Sequence, residues 1–261
     1  MPADRTGAGD PDRTLALLWR TTAPPAPRRG PRPRRSVDDV VAAATALADE
    51  RGLDAVTMRA VADRLGLAPM SLYTYVPGRA ELLDLMVDAA WLAMDRPRWR
   101  SRSWRRRVTS VAEANRALHE RHPWVAEVAT WSRPPLGPGL MAKYEHELAA
   151  LDGTGLGDVE ADDALAFVLG WVQQHARTAE AARRALEESA VDDATWWEAN
   201  APLLARALDP AAYPRAVRVG TAAGEAQGSA HDPDHAWAFG LARVLDGLAV
   251  LVDRRSGPGR R

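Results

Sequence analysis

Few side chains in this sequence are placed to make or break bonds. There is no cysteine among the 261 residues, so thiol nucleophiles, disulfides and thiolate metal sites are excluded. His119 and His122 lie at a helical spacing, but no third histidine or carboxylate completes a ligand motif, and no metal is expected. No glycine-rich phosphate loop or nucleophile elbow occurs. The carboxylates are spread over helix surfaces, so neither a catalytic constellation nor a cofactor is expected. What the sequence offers instead is hydrogen bonding and stacking. Arg59 carries a rigid fork of donors that matches the edge of a guanine. Arg96, Arg98, Arg100, Arg102, Arg105, Arg106 and Arg107 surround Trp99 and Trp104. Such interleaving can bind single-stranded nucleic acid, although a solvated linker accounts for it more simply. Trp131, Tyr144, Trp171 and His175 fall on or near helices that should face an interior. Aromatic walls with one polar group suit a small hydrophobic molecule; ordinary core packing is the competing reading.

The elements that must position these groups are all helical. Ser36 and Asp39 form an aspartate version of the capping box, and Val37, Val40, Val41, Ala44, Leu47 and Ala48 follow at helical spacing. Gly52 ends that helix. Thr57 caps a shorter one through Val61, Ala62 and Leu65, stopped by Gly66. Pro69 opens a third, running to about Tyr75, and Pro77-Gly78 breaks it. A fourth extends from Arg79 to about Ala90. Downstream, helices are expected around Trp104–Leu118, Pro123–Thr130, Leu140–Leu151, Asp158–Glu188, 192–208 and 234–254, with 209–233 read as a Gly/Pro/Ala-rich loop. No strand-like alternation appears. Thr14–Arg20 has room for a helical turn or two. Residues 21–35 are rich in proline and arginine and read as a flexible basic arm.

Charge divides the chain in two. Residues 1–107 hold 19 arginines against 13 acidic residues, net +6, whereas 108–261 are net −7. A basic front on an acidic body suits a nucleic-acid reader with a separate regulatory part. No signal peptide is evident and no apolar run reaches the ~18 residues of a membrane span, so a cytoplasmic protein without a membrane partner is expected.

Two short helices joined by Gly66-Leu67-Ala68 have helix-turn-helix spacing. Val56-Thr57-Met58-Arg59, Leu65-Gly66-Leu67, Met70-Ser71-Leu72-Tyr73-Thr74-Tyr75-Val76 and Glu81-Leu82-Leu83-Asp84 closely resemble the DNA-binding domain of the TetR family over residues 36–92. His122-Pro123-Trp124, Arg133-Pro134, Phe239-Gly240-Leu241 and Asp246-Gly247-Leu248 look like the tetracycline-repressor-type C-terminal domain. The resemblance implies an all-α fold: an arm (1–35), a helix-turn-helix domain (36–92) and an effector-binding and dimerisation domain (93–261). It implies a homodimer, paired through the long helix and the last one, on a palindromic double-stranded operator, released by an unidentified small-molecule effector. The alternatives are an activator or a ligand-independent regulator on the same fold, or a pocket-bearing enzyme or carrier. By the same resemblance Pro69, Met70, Ser71 and Thr74 face bases, while Thr57, Tyr73, Tyr75 and Arg79 hold phosphates. Core packing stays open for Met70 and for the ring of Tyr73, and a solvated charge for Arg79. Tyr75 stands where family members often carry histidine. Where tetracycline-binding members place a magnesium-ligating histidine, four residues before the Arg-Pro pair, this chain has Ala129, so tetracycline itself is not the expected ligand.

Overall fold

A computed structural model of the chain describes residues 5–21, 35–96, 98–228 and 232–256. Among the described residues there are twelve α-helices and no strand. They are α1 (Pro11–Leu18), α2 (Val37–Arg51), α3 (Met58–Leu65), α4 (Pro69–Leu72), α5 (Arg79–Leu92), α6 (Trp104–Arg121), α7 (Pro123–Val128), α8 (Pro138–Leu148), α9 (Asp158–Ser189), α10 (Asp193–Ala207), α11 (Pro214–Gln227) and α12 (Pro233–Ser256). The chain forms two compact units, one running to Ala176 and taking up Arg255, the other spanning Arg177–Arg254.

The first unit is built on α2 to α5. Ser36 Oγ accepts from Asp39 N at 3.1 Å, and Asp39 Oδ2 accepts from Ser36 N at 2.7 Å. This reciprocal cap is worth about 1 kcal/mol at the start of α2. Thr57 Oγ1 caps α3 by accepting from Ala60 N at 3.1 Å. Gly66, at φ +67°, turns the chain out of α3 in a left-handed conformation that a β-carbon disfavours. Val40, Ala44, Val61, Ala62, Leu72, Val76, Leu82 and Met86 are completely buried, so one apolar core fixes α3 and α4 against α2 and α5.

The N-terminus departs from the expectation of a free arm. Residues 5–21 include α1 and are docked along α5. Gly7 N donates to Asp84 Oδ1 at 2.9 Å, and Asp10 N donates to Glu81 Oε1 at 3.1 Å. Thr6 N bonds Val128 O at 3.1 Å, and Trp19 Nε1 bonds Leu136 O at 2.7 Å. Leu18 is buried in the core and Arg20 pairs with Asp38 of α2. Carboxylates on α5 take up backbone donors of the segment, and Leu18 supplies apolar burial that the Pro/Arg-rich stretch lacks. Residues 22–34, the heart of the expected arm, lie outside the described residues.

In the second unit the expected loop over 209–233 contains α11. Pro214 sits in its first turn, where the missing N–H costs nothing, and Gly228 ends it at φ +67°. The glycines and prolines signal a loop, but Pro214 lies at the start, and Ala216, Arg218, Ala222, Ala223, Glu225 and Ala226 offset the two interior glycines, Gly220 and Gly224. Trp237, Leu241, Val244, Leu245, Leu248 and Val252 are buried on one face of α12, while Phe239 and Val250 are exposed on it. By length and composition alone Pro233–Arg255 is apolar enough to cross a membrane, at a mean hydropathy of 1.4. A salt bridge, Arg243–Asp246 at 2.5 Å, sits within the helix.

Candidate nucleic-acid interface and ligand cavity

Helices α3 and α4 bury one face and display the other. Thr57, Arg59, Pro69, Met70, Ser71, Tyr73 and Thr74 all lie exposed, while Val61, Ala62 and Leu72 point into the core. The Arg59 side chain is 85% exposed, and its ion-pair contact with Asp63 is long at 3.9 Å. Its fork therefore projects into solvent. Met70, 77% exposed, is not core filler. Thr57 spends a lone pair on its cap, and its hydroxyl proton is not used by that bond. Thr74 instead donates to Ser71 O at 2.7 Å. Tyr73 projects outward, whereas Tyr75 is half-buried against the core.

Arg79 departs most from its expected role. Its Nε donates to Val56 O at 2.6 Å and a terminal nitrogen to Leu53 O at 3.1 Å. Burial lowers its pKa from the usual arginine range. This guanidinium is engaged by backbone carbonyls and is not a purely solvated surface charge. It ties the 3₁₀ turn Leu53–Ala55, ahead of α3, to the start of α5, and so fixes the presentation of Arg59. Two members of the Arg/Trp cluster are structural in the same way. Arg96 bonds Leu92 O and Met94 O at the end of α5. Buried Arg107 bonds Ala150 O at 2.9 Å and also Ser101 O, Arg102 O and Asp152 O. Trp99 stacks on His146 with ring centroids 4.4 Å apart. A solvated linker thus describes only part of this run.

Behind the face of α3 and α4, the first unit holds a cavity of about 420 Å³ that opens at one rim. Its lining is drawn from α5 (Trp91), α6 (Asn115, His119), the 129–134 segment, α8 (Leu140, Lys143, Tyr144, Glu147) and α9 (Leu165, Leu169, Gln173). Of the four expected pocket residues, Trp131 and Tyr144 line it, at an exposed rim. Trp131 Nε1 donates to Gln173 Oε1 at 2.8 Å, and Tyr144 OH donates to Asp162 Oδ1 at 2.8 Å. Trp171 and His175 do not. They stack on each other, centroids 6.0 Å apart, on a different face of α9 from Leu165, Leu169 and Gln173. Residues four apart share a helix face, and 171 and 175 belong to a different row from 165, 169 and 173.

Sequence reasoning missed the buried polar residues of the cavity, Asn115, Lys143, Glu147 and Gln173. Each left a trace. Asn115 falls on the apolar face of α6, Gln173 interrupts the apolar stripe of α9, and Lys143 is the only lysine in the chain. Among the described residues no group of three possible metal ligands is found.

The cavity wall is bound to the reading unit through α5. Asp88 Oδ1 accepts from Leu140 N at 2.9 Å and so caps the N-terminus of α8, with Arg20 nearby. Burial raises the Asp88 pKa and these backbone donors oppose the rise. Gly139 is required at this crossing, because a β-carbon there would collide with the Asp88 carbonyl oxygen. Trp91, one turn further along α5, is part of the cavity wall itself.

An exposed two-helix face with a ligand-sized cavity behind it fits the architecture of a one-component transcriptional regulator. Residues 40–86 match the bacterial regulatory proteins of the tetR family, and residues 97–252 match the tetracyclin repressor-like C-terminal domain. The chain belongs to the TetR family of DNA-binding transcriptional regulators. It is 40% identical over 255 residues to the HTH-type transcriptional repressor DrrR1 of Streptomyces coeruleorubidus, covering 97% of this chain and 91% of that one. An HTH-type transcriptional regulator of Saccharopolyspora erythraea is 36% identical over 142 residues, 54% of this chain and 59% of the relative. Among solved structures, apo ActR from Streptomyces coelicolor superimposes with a TM-score of 0.68 at 26% identity, covering 86% of this chain and 99% of ActR. ActR in complex with actinorhodin gives 0.69 at 27%, covering 83% and 96%.

Proposed function

We propose that this protein is a cytoplasmic repressor that binds a palindromic operator as a homodimer and leaves it when a small hydrophobic effector enters the cavity. Residues 36–92 read DNA, and 93–261 sense the effector and dimerise. The observation that carries this reading is the junction at α5. One helix holds the reading face through Arg79, holds α8 through Asp88, and lines the cavity through Trp91. A ligand that fits the cavity in only one setting of α5 shifts the protein toward that setting by its difference in affinity for the two. Two further facts support it: a full-length relative is named a repressor, and the similar ActR has been solved with actinorhodin bound. The proposal needs no catalytic step, and we assign the chain no enzymatic activity.

The test is a selection from random double-stranded DNA at fixed salt, followed by release with hydrophobic compounds. An imperfect palindrome with half-sites in successive major grooves on one face is the expected product. Compounds that quench Trp91 or Trp131 should then lower the affinity for that palindrome. Recovery of no preferred sequence, or cavity ligands that leave DNA affinity unchanged, would overturn the reading. In the same experiment Leu245 and Leu248 of α12, changed together to charged residues, should yield monomer or aggregate by sedimentation, with loss of DNA binding.

A further inference from the structure

The polar groups at the inner end of the cavity are already committed to one another. Glu147 Oε2 accepts from Lys143 Nζ at 2.7 Å, and Glu147 Oε1 accepts from Asn115 Nδ2 at 2.6 Å. Asn115 Nδ2 also reaches Val111 O at 2.9 Å. All three are buried: Lys143 is 8% exposed, Asn115 4% and Glu147 3%. The Lys143 ammonium also lies 5.8 Å from the centroid of the Trp91 ring. Nearer the rim, both hydrogens of Gln173 Nε2 go to the carbonyls of Ala126 and Ala129. Among the groups lining the cavity, Lys143 is balanced by its own carboxylate, a second carboxylate, Asp162, stands at the rim, and the imidazole of His119 lies one turn from Asn115 on α6.

We infer that the cavity is built for an uncharged, flat aromatic ligand bearing a carbonyl or hydroxyl oxygen, and that Glu147 is the residue that excludes carboxylate-bearing analogues. The inference rests on the cavity being the effector site. An ammonium has three hydrogens, and Glu147 accepts one of them. A neutral oxygen can take another without disturbing the pair. A ligand carboxylate would shed its hydration and then meet Glu147 in a site of low dielectric, with Lys143 already neutralised; burying a charge without a free counter-charge is costly. A ligand ammonium would meet Lys143 at the same inner end. The indoles of Trp91 and Trp131 give the walls that a flat ring system packs on.

The experiment is equilibrium dialysis of the full-length protein with three near-isosteric probes: 2-acetylanthracene, anthracene-2-carboxylate and 2-(aminomethyl)anthracene. Wild type should bind the ketone at least ten-fold more tightly than either charged compound. Glu147→Gln keeps the shape and an oxygen for Lys143 but removes the balancing charge. In that variant the carboxylate should gain ten-fold or more and the ketone change little. Circular dichroism verifies folding. Should Glu147→Gln not fold, Lys143→Met combined with Glu147→Leu removes the pair as a unit; it should weaken the ketone several-fold and still exclude the carboxylate. Equal or tighter binding of a charged probe by wild type overturns the inference while leaving the effector cavity standing. So does an unchanged preference in Glu147→Gln, or an unchanged ketone affinity in the double variant. Failure of all three probes and of anthracene itself to bind wild type overturns the effector cavity, and the inference with it.

Discussion

The reading face and the cavity lie in the same compact unit, yet they are assembled in opposite ways. The nine residues expected to contact DNA all come from 57–79, two short helices with the turn between them and the start of α5. The cavity draws on residues from Trp91 to Gln173, spread over α5, α6, α7, α8 and α9. The first is a local device: caps, a left-handed glycine and a proline at a helix start set its geometry, and each is a feature of a few consecutive residues. The second exists only after distant helices have packed. Its polar chemistry is internal, a lysine, a glutamate and an asparagine satisfying one another, whereas Arg59 is left projecting outward. In one region the polar groups are paired with one another; in the other, Arg59 stays exposed.

The largest effect that sharpens this contrast is expected in the cavity. Lys143→Met alone leaves Glu147 buried without its cation, and removing one partner of a buried pair typically costs about 3–5 kcal/mol. Changing Lys143 to Met and Glu147 to Leu together should recover most of that loss. Chemical denaturation of the single and double variants measures the difference. A single variant as stable as wild type would show that the pair carries none of the fold.

At the reading face the expectation is the reverse. Arg59→Ala should leave folding within about 0.5 kcal/mol of wild type, as for most exposed substitutions. It should cost about 1–3 kcal/mol of operator binding per half-site and relax the preference at one symmetric guanine position. Arg79→Met should act through the fold. Hydrogen bonds from a charged group are worth about 1.5–3 kcal/mol, so losing the Val56 and Leu53 contacts should cost about that much stability. The slope of affinity against salt should stay unchanged, because no phosphate contact is lost. A changed slope with unchanged stability would return Arg79 to the phosphate backbone.

The legibility of the molecule follows the same division. The helices from α2 to α5 can be placed from the sequence because Ser36, Thr57, Gly66, Pro69 and Gly78 each act on their own neighbours. The exposure of Arg59 follows from helical spacing, whereas that of Met70, for which core packing is equally open in the sequence, is decided by the packing of α4. The engagement of Arg79 does not, since its partners Leu53 and Val56 lie 26 and 23 residues back. For the same reason Trp171 and His175 read as pocket residues: they are aromatic and on the right helix, but which row of α9 faces the cavity is decided by α6 and α8. The docking of residues 5–21 was equally hidden. It depends on Asp84 and Glu81, which in sequence look like ordinary solvated charges of a family motif.

Asp84 sits where the two regions meet, and a modest change there tests how they are joined. It is buried on α5, accepts from Gly7 N at 2.9 Å, and its pKa is raised to about 6. Burial is the main cause; the Gly7 hydrogen bond opposes it and the nearby charge of Glu81 adds to it. In the unfolded chain an aspartate titrates near 3.9. Between these values the folded protein holds more protons than the unfolded one, so stability falls as pH rises through this window. Below about pH 4 the carboxyl is neutral in both states and costs nothing. Asp84→Asn keeps an oxygen for Gly7 N without the buried charge. It should therefore stabilise the protein by about 1–2 kcal/mol at pH 7.5, a gain that fades as the pH falls below 6 and disappears near 4. Thermal unfolding of both proteins across that range measures it. A gain independent of pH would mean that packing, not charge, sets the cost. A loss of stability at pH 7.5 would mean that the ionised carboxylate is what holds residues 5–21 against α5.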